Sequence, residues 1–377
     1  VDAGKDEKGK RKQIFKSGFA KKGDADRALR DVLNEKAAGD LVKPDPQSFA
    51  AFLDEWFAEY AARKCAPKTL ERYKQLAEYI RPQLGAVAIQ QLTALMLERV
   101  LNRLKDAGGY NPTTKKARPL SAKTVHHIAG VVNVAMRKAI KLKLLKANPM
   151  DGVELPPIEP REAHAIDADQ VCWYLDAARG HGLYELLLFA AATGCRRGEA
   201  LALSWPDVDL VNASARISRS LEQTQAGLRI KSTKTKRTRL IALSSSIVEP
   251  LKALRASQDE NRRLFGADYR ADLDLVFCDP KGDYLKPDSV TAKASLIARK
   301  AGLKNVSFHT LRHSHGSQLL SDGVPLPAVS KRLGHADVYT TAKVYAHALP
   351  KDDAAAADAW DARFQKAASA PSAAKIT

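Results

Sequence analysis

Cysteine is scarce in this sequence, and long apolar segments are missing. The four cysteines, Cys65, Cys172, Cys195 and Cys278, are scattered singly without a CxxC pair, which supports neither a zinc ribbon nor a disulfide framework. No segment approaches the ~20 consecutive apolar residues that a transmembrane helix needs. The first residues are polar and charged, unlike a secretory signal. We therefore expect a cytoplasmic protein without a membrane partner.

Acidic residues are also under-represented. The chain has 43 Asp and Glu against 61 Lys and Arg, a formal net charge of +18 and a pI near 9.7. Such an excess is typical of polyanion binders, because each neutralised phosphate releases condensed counterions. A basic ribosome-associated factor would have a similar composition, so charge alone does not separate the two classes.

The chain of 377 residues is too long for one ordinary core. Residues 1–46 predict a hairpin followed by a helix, and because no methionine starts the chain we expect a further strand upstream. Residues 48–150 predict amphipathic helices, with Thr93 as the N-cap of the third. A mixed segment, 161–350, and an Ala-rich tail, 351–377, follow. The predicted fold class is mainly α with small β elements (α+β).

Three strand-like stretches, "SARISRSLEQ", "GLRIKST" and "TRLIALS", predict one small antiparallel sheet with basic turns in the mixed segment. A second basic stretch lies between the third and fourth predicted helices. Cations in these two places are candidates for contacts with DNA phosphates. The candidates are Lys115, Lys116, Arg118, Lys123, Lys231, Lys236 and Arg237.

Two short motifs could each bind an anion. In "ATGCRRGEALALSWPDVDL", Arg196 starts a predicted helix with Glu199 in the same turn, where the helix dipole adds positive potential. Lys234 lies in the basic hairpin and could donate a proton to a leaving oxygen. A surface Arg-Glu pair and a solvated basic loop explain the same residues, and for Arg196 and Glu199 taken alone the surface pair is the favoured interpretation.

A third motif is "SFHTLRHSHGSQLL", in which His309, Arg312 and His313 fall at helical spacing. The two histidines resemble half of a zinc site, but the glutamate of HExxH is missing and Arg312 adds a permanent positive charge. A phosphate pocket suits an arginine beside a titratable imidazole better. No metal site is predicted.

The fourth motif is "KRLGHADVYTTAKVYAH", with His335, Tyr339 and Tyr345. Taken in order, TGxRxxE, a hairpin lysine, HxxRH, LGH and a tyrosine resemble the tyrosine recombinase (phage integrase) family. The resemblance covers the whole mixed segment. Residues 48–150 are similar to that family's core-site DNA-binding domain, and residues 1–46 to its arm-site module, incomplete at its start.

The resemblance implies the following chemistry. The hydroxyl of Tyr345 attacks a DNA phosphodiester, leaving a 3′-phosphotyrosyl bond and a free 5′-hydroxyl, while Tyr339 only packs. Two arginines bind the phosphate, a lysine acts as general acid, one histidine exchanges protons, another hydrogen-bonds the phosphate, and an acid orients an arginine. These roles fall on Arg196 and Arg312, Lys234, His309, His335 and Glu199, in that order. Lys234 is assigned by its distance from Ile241, which an insertion would shift.

The resemblance further implies an enzyme that needs neither metal nor ATP, and therefore no cofactor. Its expected partners are double-stranded attachment sites, three further copies of itself in a tetramer, an excisionase and a DNA-bending host factor. It would integrate and excise a prophage or similar element, in the cytoplasm and associated with the nucleoid. The tail could exchange between protomers. Alternatives are a type IB topoisomerase-like enzyme, a metal-dependent nuclease using His309, His313 and His315, and a non-catalytic DNA-binding regulator.

Overall fold

The structure is a computed structural model in which the chain divides into two compact units, Val1–Pro160 and Arg161–Thr377. The residues that it describes are 1–5, 11–13, 15, 17–39, 41–111, 116–159, 164–232, 238–345, 357–358 and 360–365.

The first unit is helical apart from two short strand pairs. Its strands are β1 (Asp2–Lys5), β2 (Arg11–Gln13), β3 (Gly109–Asn111) and β4 (Lys116–Arg118). Its helices are α1 (Lys22–Ala37), α2 (Phe49–Glu55), α3 (Ala62–Lys64), α4 (Pro67–Ala77), α5 (Arg81–Leu84), α6 (Ala94–Ala107) and α7 (Ala122–Lys141). β1 pairs with β2 and β3 with β4, both antiparallel.

Residues 48–150 are mainly helical as predicted, but the β3-β4 strand pair interrupts them, α4 and α5 are separate, and the first helix is irregular. A π-helical turn over Trp56–Ala61 joins α2 to α3, so the first predicted helix is continuous but locally widened. Thr93 caps α6 as expected by accepting a hydrogen bond from the Met96 N–H, and Ser121 caps α7 in the same way. The apolar faces of these helices meet in one core that buries Phe49, Phe52 and Trp56.

The second unit surrounds small sheets with helices. Its helices are α8 (Ala168–Ala178), α9 (Tyr184–Thr193), α10 (Arg197–Ala200), α11 (Ser245–Phe265), α12 (Pro287–Lys300), α13 (Phe308–Ser321), α14 (Leu326–Leu333) and α15 (Val338–Tyr345). Its strands are β5 (Val208–Asp209), β6 (Ser214–Ile217), β7 (Arg219–Thr224), β8 (Gly227–Ser232) and β9 (Arg239–Ala242). The α+β class is confirmed.

The prediction of one sheet in this unit was wrong. The strands form a three-stranded sheet in the order β5-β6-β9 and a separate β7-β8 hairpin. Only Ser218 lies between β6 and β7, but β6 pairs with β9 and β7 with β8. Tertiary packing determines which strands pair with each other, and a local sequence pattern contains no information about that packing.

α13, α14 and α15 contribute buried residues to a small apolar cluster, which includes Val329, Leu333 and Tyr345. In the tail, residues 360–365 are helical, and the side chains of Trp360 and Phe364 are 62% and 59% exposed. Among the described residues, no helix is both long and apolar enough to cross a bilayer.

Gly130 offers a test of the packing around α7. It lies in the middle of the helix, on the exposed side, and an added Cβ would meet no atom within 4 Å. Because alanine lowers the conformational entropy of the unfolded chain, Gly130→Ala is expected to raise the free energy of unfolding by about 0.5–1 kcal/mol. Urea titration followed by circular dichroism measures it.

Ala129→Gly, at the neighbouring buried position of the same helix, is the control and should shift the midpoint the other way. A loss of stability in Gly130→Ala would mean that this face of α7 is not open as described.

Candidate active site

The site is organised around the C-terminal turn of α14. Gly334 adopts the left-handed conformation at φ +69°, which glycine reaches without a steric penalty. Its N–H and that of His335 donate to the carbonyls of Lys331 and Ser330, at 3.1 and 3.2 Å. This pair of bonds is the Schellman motif, which ends a helix and turns the chain sharply away. His335 is thereby fixed immediately after the helix.

Three arginines from different elements donate hydrogen bonds to three successive carbonyls of that turn. They are the carbonyls that a helix C-terminus leaves without intrahelical partners, where the helix dipole favours a cation. The bonds run from Arg239 Nε to Arg332 O (3.0 Å), from Arg312 Nη2 to Leu333 O (2.8 Å) and from Arg196 Nη2 to Gly334 O (3.4 Å). The turn therefore holds three cations side by side.

Glu199 lies buried between two of these arginines, with a side chain only 2% exposed. It accepts the backbone N–H and the Nη1 of Arg196, both at 2.9 Å, and Nη2 of Arg239 at 2.7 Å. Burial alone would raise the pKa of Glu199, but the hydrogen bond and charge of Arg239 and then the contacts of Arg196 hold it below its ordinary value. Glu199 is thus ionised at neutral pH.

Arg312 is buried on α13 and also donates from Nη1 to the carbonyl of Gly194, at 2.7 Å. Burial, with the nearby charge of Arg196, lowers its pKa to about 10. Around Glu199 the arginines outnumber the carboxylate, so the pocket has a positive charge that an anion such as a phosphate would neutralise.

Tyr345 lies beside this cationic cluster and is fully buried, at 0% exposure. Its hydroxyl donates to the carbonyl of Arg312 at 3.4 Å, and its ring lies 5.7 Å from His313 and 6.3 Å from His335 between centroids. Burial raises the pKa of the phenol, while Arg312 and Arg196 oppose the shift. Gly316 leaves room for the Tyr345 ring, because a Cβ at position 316 would lie 2.6 Å from the tyrosine Cζ.

His335 and His309 are kept neutral. Burial, followed by the charges of Arg312 and Arg196, lowers the pKa of His335 to about 4 and also lowers that of His309. His335 Nδ1 shares a hydrogen bond with Thr341 Oγ1 at 2.7 Å, which fixes its ring. A neutral imidazole can both accept and donate a proton, as acid-base chemistry requires.

The zinc-like interpretation finds no geometric support. His315 is buried, and its Nε2 accepts a hydrogen bond from Arg332 Nε at 2.9 Å, an arrangement that occupies the nitrogen a metal would need. Burial and then Arg332 lower its pKa to about 4. Within the described ranges, no three His, Cys, Asp or Glu side chains are grouped closely enough to hold an ion.

The structure brings together most of the predicted site residues. Arg196, Glu199, His309, Arg312, His335 and Tyr345 all lie in this cluster. The prediction that Tyr339 packs was wrong: it lies in the first turn of α15 with its side chain 73% exposed. Lys234 lies outside the described residues.

The predicted DNA-contacting cations divide into three groups. Lys116 and Arg118 on β4 and Lys123 in the first turn of α7 are exposed. Lys231 is half-buried and forms an ion pair with Glu222 across the β7-β8 hairpin, so a carboxylate already neutralises it. Outside the described residues lie Lys115, Lys236 and Arg237.

Sequence reasoning missed the part that Arg239 plays. The sequence patterns gave this residue no role, whereas the structure buries it between Glu199 and α14. Nothing local distinguishes it from its neighbours. Only its position as the first residue of β9, an inward-facing place in an alternating strand, is a signal, and that needs the strand's register.

Comparison with known proteins places this site in context. Residues 165–352 match the phage integrase family, residues 1–36 an arm DNA-binding domain, and residues 48–105 the N-terminal SAM-like domain of phage integrases. The chain is 28% identical to a XerC-like tyrosine recombinase of Caldanaerobacter subterraneus, over 93% of this chain and 92% of that protein. An integrase of a Staphylococcus phage is 27% identical, over 86% of this chain and 95% of that protein.

Among solved structures, the Tn1549 transposon integrase in complex with a circular intermediate DNA has a similar fold. The TM-score is 0.67 at 18% identity, covering 81% of this chain and 98% of that one. Fold, site and relatives together define the class, which is the DNA recombinases that use a tyrosine. The chain belongs to the phage integrase family of tyrosine recombinases, and it is a site-specific DNA recombinase. This favours the recombinase over the topoisomerase-like and regulatory alternatives.

Gly334 gives a test of how the turn supports the site. An alanine there would have to adopt the left-handed backbone conformation, which is unfavourable for it. Its Cβ would also lie 2.8 Å from Arg239 Nη1. Gly334→Ala is expected to destabilise the fold by about 1–2 kcal/mol and to slow DNA cleavage more than it weakens DNA binding. Thermal unfolding, cleavage rate and binding affinity are the measurements.

Gly323→Ala is the matched control, since Gly323 has φ +80° but an added Cβ would meet no atom within 4 Å. Equal cleavage rates in the two variants would refute a special role of the Gly334 turn.

Proposed function

We propose that this enzyme integrates and excises a prophage or similar mobile element by forming a transient covalent bond between DNA and Tyr345. The observation that supports this most is the meeting of Arg196, Arg312, His335 and the buried Tyr345 hydroxyl at one helix end. A phosphodiester is the anion that such a pocket and a nearby hydroxyl would process.

The proposed step transfers a phosphoryl group between two oxygens. Tyr345 Oη forms a bond to phosphorus and loses its proton to His309, while the bond from phosphorus to the DNA 5′-oxygen breaks. That oxygen takes a proton from Lys234. The product is a 3′-phosphotyrosyl bond, which the 5′-hydroxyl of another strand reverses, so no external energy source is needed.

The arginines stabilise the negative charge that develops on the phosphate oxygens in this step. Arg196 and Arg312 bind the non-bridging oxygens, where fixed donors stabilise the pentacoordinate transition state more than the substrate. His335 donates a hydrogen bond to the same phosphate, and Glu199 orients Arg196. Arg312 has a lowered pKa in the absence of an anion, so bound phosphate would favour its charged form.

Access is part of the proposal, because the Tyr345 hydroxyl is buried and bonded to the carbonyl of Arg312. The hydroxyl has to exchange this carbonyl for the phosphate before it can attack. α15, which carries the tyrosine, is only eight residues long, and a small shift of it would suffice.

The remaining parts of the chain bind DNA around this site. Residues 48–150 bind core-type sites, with Lys116, Arg118 and Lys123 as exposed phosphate contacts, and residues 1–46 bind arm-type sites. Residues 161–350 carry the chemistry. Two linked DNA-binding modules raise the effective concentration at the second site. The partners are attachment-site duplexes, three further copies of the enzyme in a tetramer, an excisionase and a DNA-bending host factor. The enzyme acts in the cytoplasm, in association with the nucleoid.

The nucleophile can be identified by trapping the covalent adduct. Nicked, labelled duplexes made from the DNA flanking its own gene are incubated with the protein in EDTA and run on a denaturing gel. Because only a tyrosine oxygen in the cationic pocket can attack, Tyr345→Phe should abolish the adduct. Tyr339→Phe, an exposed tyrosine nearby, is the control and should leave it unchanged.

An adduct that survives in Tyr345→Phe would mean that another residue attacks. EDTA-sensitive nicks without an adduct would indicate a metal-dependent nuclease instead.

The tail is proposed to dock on a neighbouring protomer through Trp360 and Phe364, whose rings lie 5.4 Å apart and are largely exposed. Truncation after Asp353 should therefore convert the DNA-bound tetramer to smaller species, as measured by gel filtration on DNA. The substitution Gln365→Ala in the full chain is the control, because it leaves both aromatic rings. A tetramer that persists after truncation would refute the exchange.

A further inference from the structure

Of the three arginines that donate to the carbonyls of the α14 turn, Arg239 is the one to which the proposed mechanism gives no task. Its side chain is only 8% exposed. Burying a guanidinium is unfavourable unless its donors are paired, and here the pairs are specific. Nη2 and Nη1 donate to the two oxygens of Glu199 at 2.7 and 3.3 Å, and Nε donates to the carbonyl of Arg332 at 3.0 Å.

These bonds join two parts of the site that are distant in the chain. Through Glu199, Arg239 holds the carboxylate that binds both the backbone and the guanidinium of Arg196. Through the carbonyl of Arg332, it holds the helix end that precedes His335. Gly334 gives it the necessary space, since a Cβ there would collide with its guanidinium.

Arg239 also fixes the start of β9. It is the first residue of β9 and pairs with Ile217 of β6, so it anchors the chain directly after the segment that carries Lys234. One buried side chain thus connects the strand after Lys234, the helix turn before His335 and the acid that orients Arg196.

We propose that Arg239 is a positioning residue for DNA cleavage. It holds Glu199 and the C-terminal turn of α14 so that Arg196 and His335 bind the same phosphate. It does not contact DNA itself. This inference rests on the proposed function, in which Arg196 and His335 bind that phosphate.

The geometry requires the shape of an arginine as well as its charge. A planar guanidinium can bind two carboxylate oxygens with one edge and a carbonyl with its Nε. A lysine is a point charge on a flexible stem, so Arg239→Lys would neutralise Glu199 but leave the Arg332 carbonyl unpaired. Its expected activity lies between those of the wild type and Arg239→Met.

The acid limb of the pH profile gives a readout that a purely structural role would not move. The groups that face Glu199 are Arg196, Arg239 and Arg312, with the buried Cys195 thiol beside them. Arg239 lowers the carboxyl pKa and burial raises it, so losing Arg239 must raise that pKa. In Arg239→Met, Glu199 would therefore be protonated, and Arg196 released, at a higher pH than in the wild type.

The experiment measures single-turnover cleavage at saturating DNA, affinity and thermal unfolding, using the full chain and nicked, labelled duplexes from the DNA flanking its own gene. Arg239→Met should cleave at least about tenfold more slowly, while its affinity changes by less than about twofold. Its salt dependence of binding should match the wild type, because no phosphate contact is lost. The matched control is Arg216→Met, an exposed arginine on the adjacent strand β6, which should behave as the wild type.

The double variant decides whether Arg239 acts through Glu199. Glu199→Gln combined with Arg239→Met should cleave little more slowly than the slower single variant, and its acid limb should lack the upward shift of Arg239→Met. The pH profiles and rates are compared only among variants that melt above the assay temperature. Should Arg239→Met melt below it, Arg239→Lys takes its place with the same expected order of rates.

Two results would overturn the inference. One is a weaker affinity with a reduced salt dependence in Arg239→Met, which would make Arg239 a DNA contact. The other is that the two substitutions have strictly additive effects on the activation free energy of cleavage and that the acid limb of the pH profile does not move in Arg239→Met. Arg196→Ala separates the two proposals. If Arg196→Ala cleaves normally, the proposed function itself fails. If Arg196→Ala is inactive while Arg239→Met equals Arg216→Met, only the role of Arg239 fails.

Discussion

The active site depends on how the C-terminus of one short helix is capped. The last carbonyls of α14 have no intrahelical partners, and three arginines from α13, β9 and the start of α10 supply them. Each arginine thereby gains a fixed position, and the turn gains a fixed shape. A guanidinium carries five N–H donors, so Arg196 and Arg312 keep donors for a phosphate after making these bonds. The same interactions thus end the helix and assemble the charge on which phosphoryl transfer depends.

Concentrating cations in this way has an electrostatic cost, and the structure offsets it locally. Glu199 is the buried carboxylate that neutralises part of the charge, with bonds to two of the arginines. Burial, followed by the charge that is left, lowers the pKa values of Arg312, His309 and His335. Such a pocket suits an anion, and His309 and His335 are neutral and therefore able to exchange protons. Tyr345 stays a protonated phenol in these surroundings until a reaction partner takes its proton.

Local patterns predicted the elements well where a local interaction decides them. Thr93 caps α6 as expected, since a threonine before an apolar repeat accepts the free N–H groups of the first turn. They failed where long-range packing decides. The three predicted strands divide into two sheets, and Tyr339 is exposed. Neither outcome follows from the residues near it in the chain.

The order of the motifs along the chain was enough to assign the family and the α+β class and to name the residues that gather in the site, because each residue type stands at its expected place in that order. What holds these residues together became visible only in the folded chain. Arg239 looks like any cation of a basic hairpin until β9 pairs with β6 and turns its side chain inward, towards Glu199 and the end of α14. Which charge is buried, and against which partner, depends on contacts between residues far apart in the chain, and so it arises only on folding.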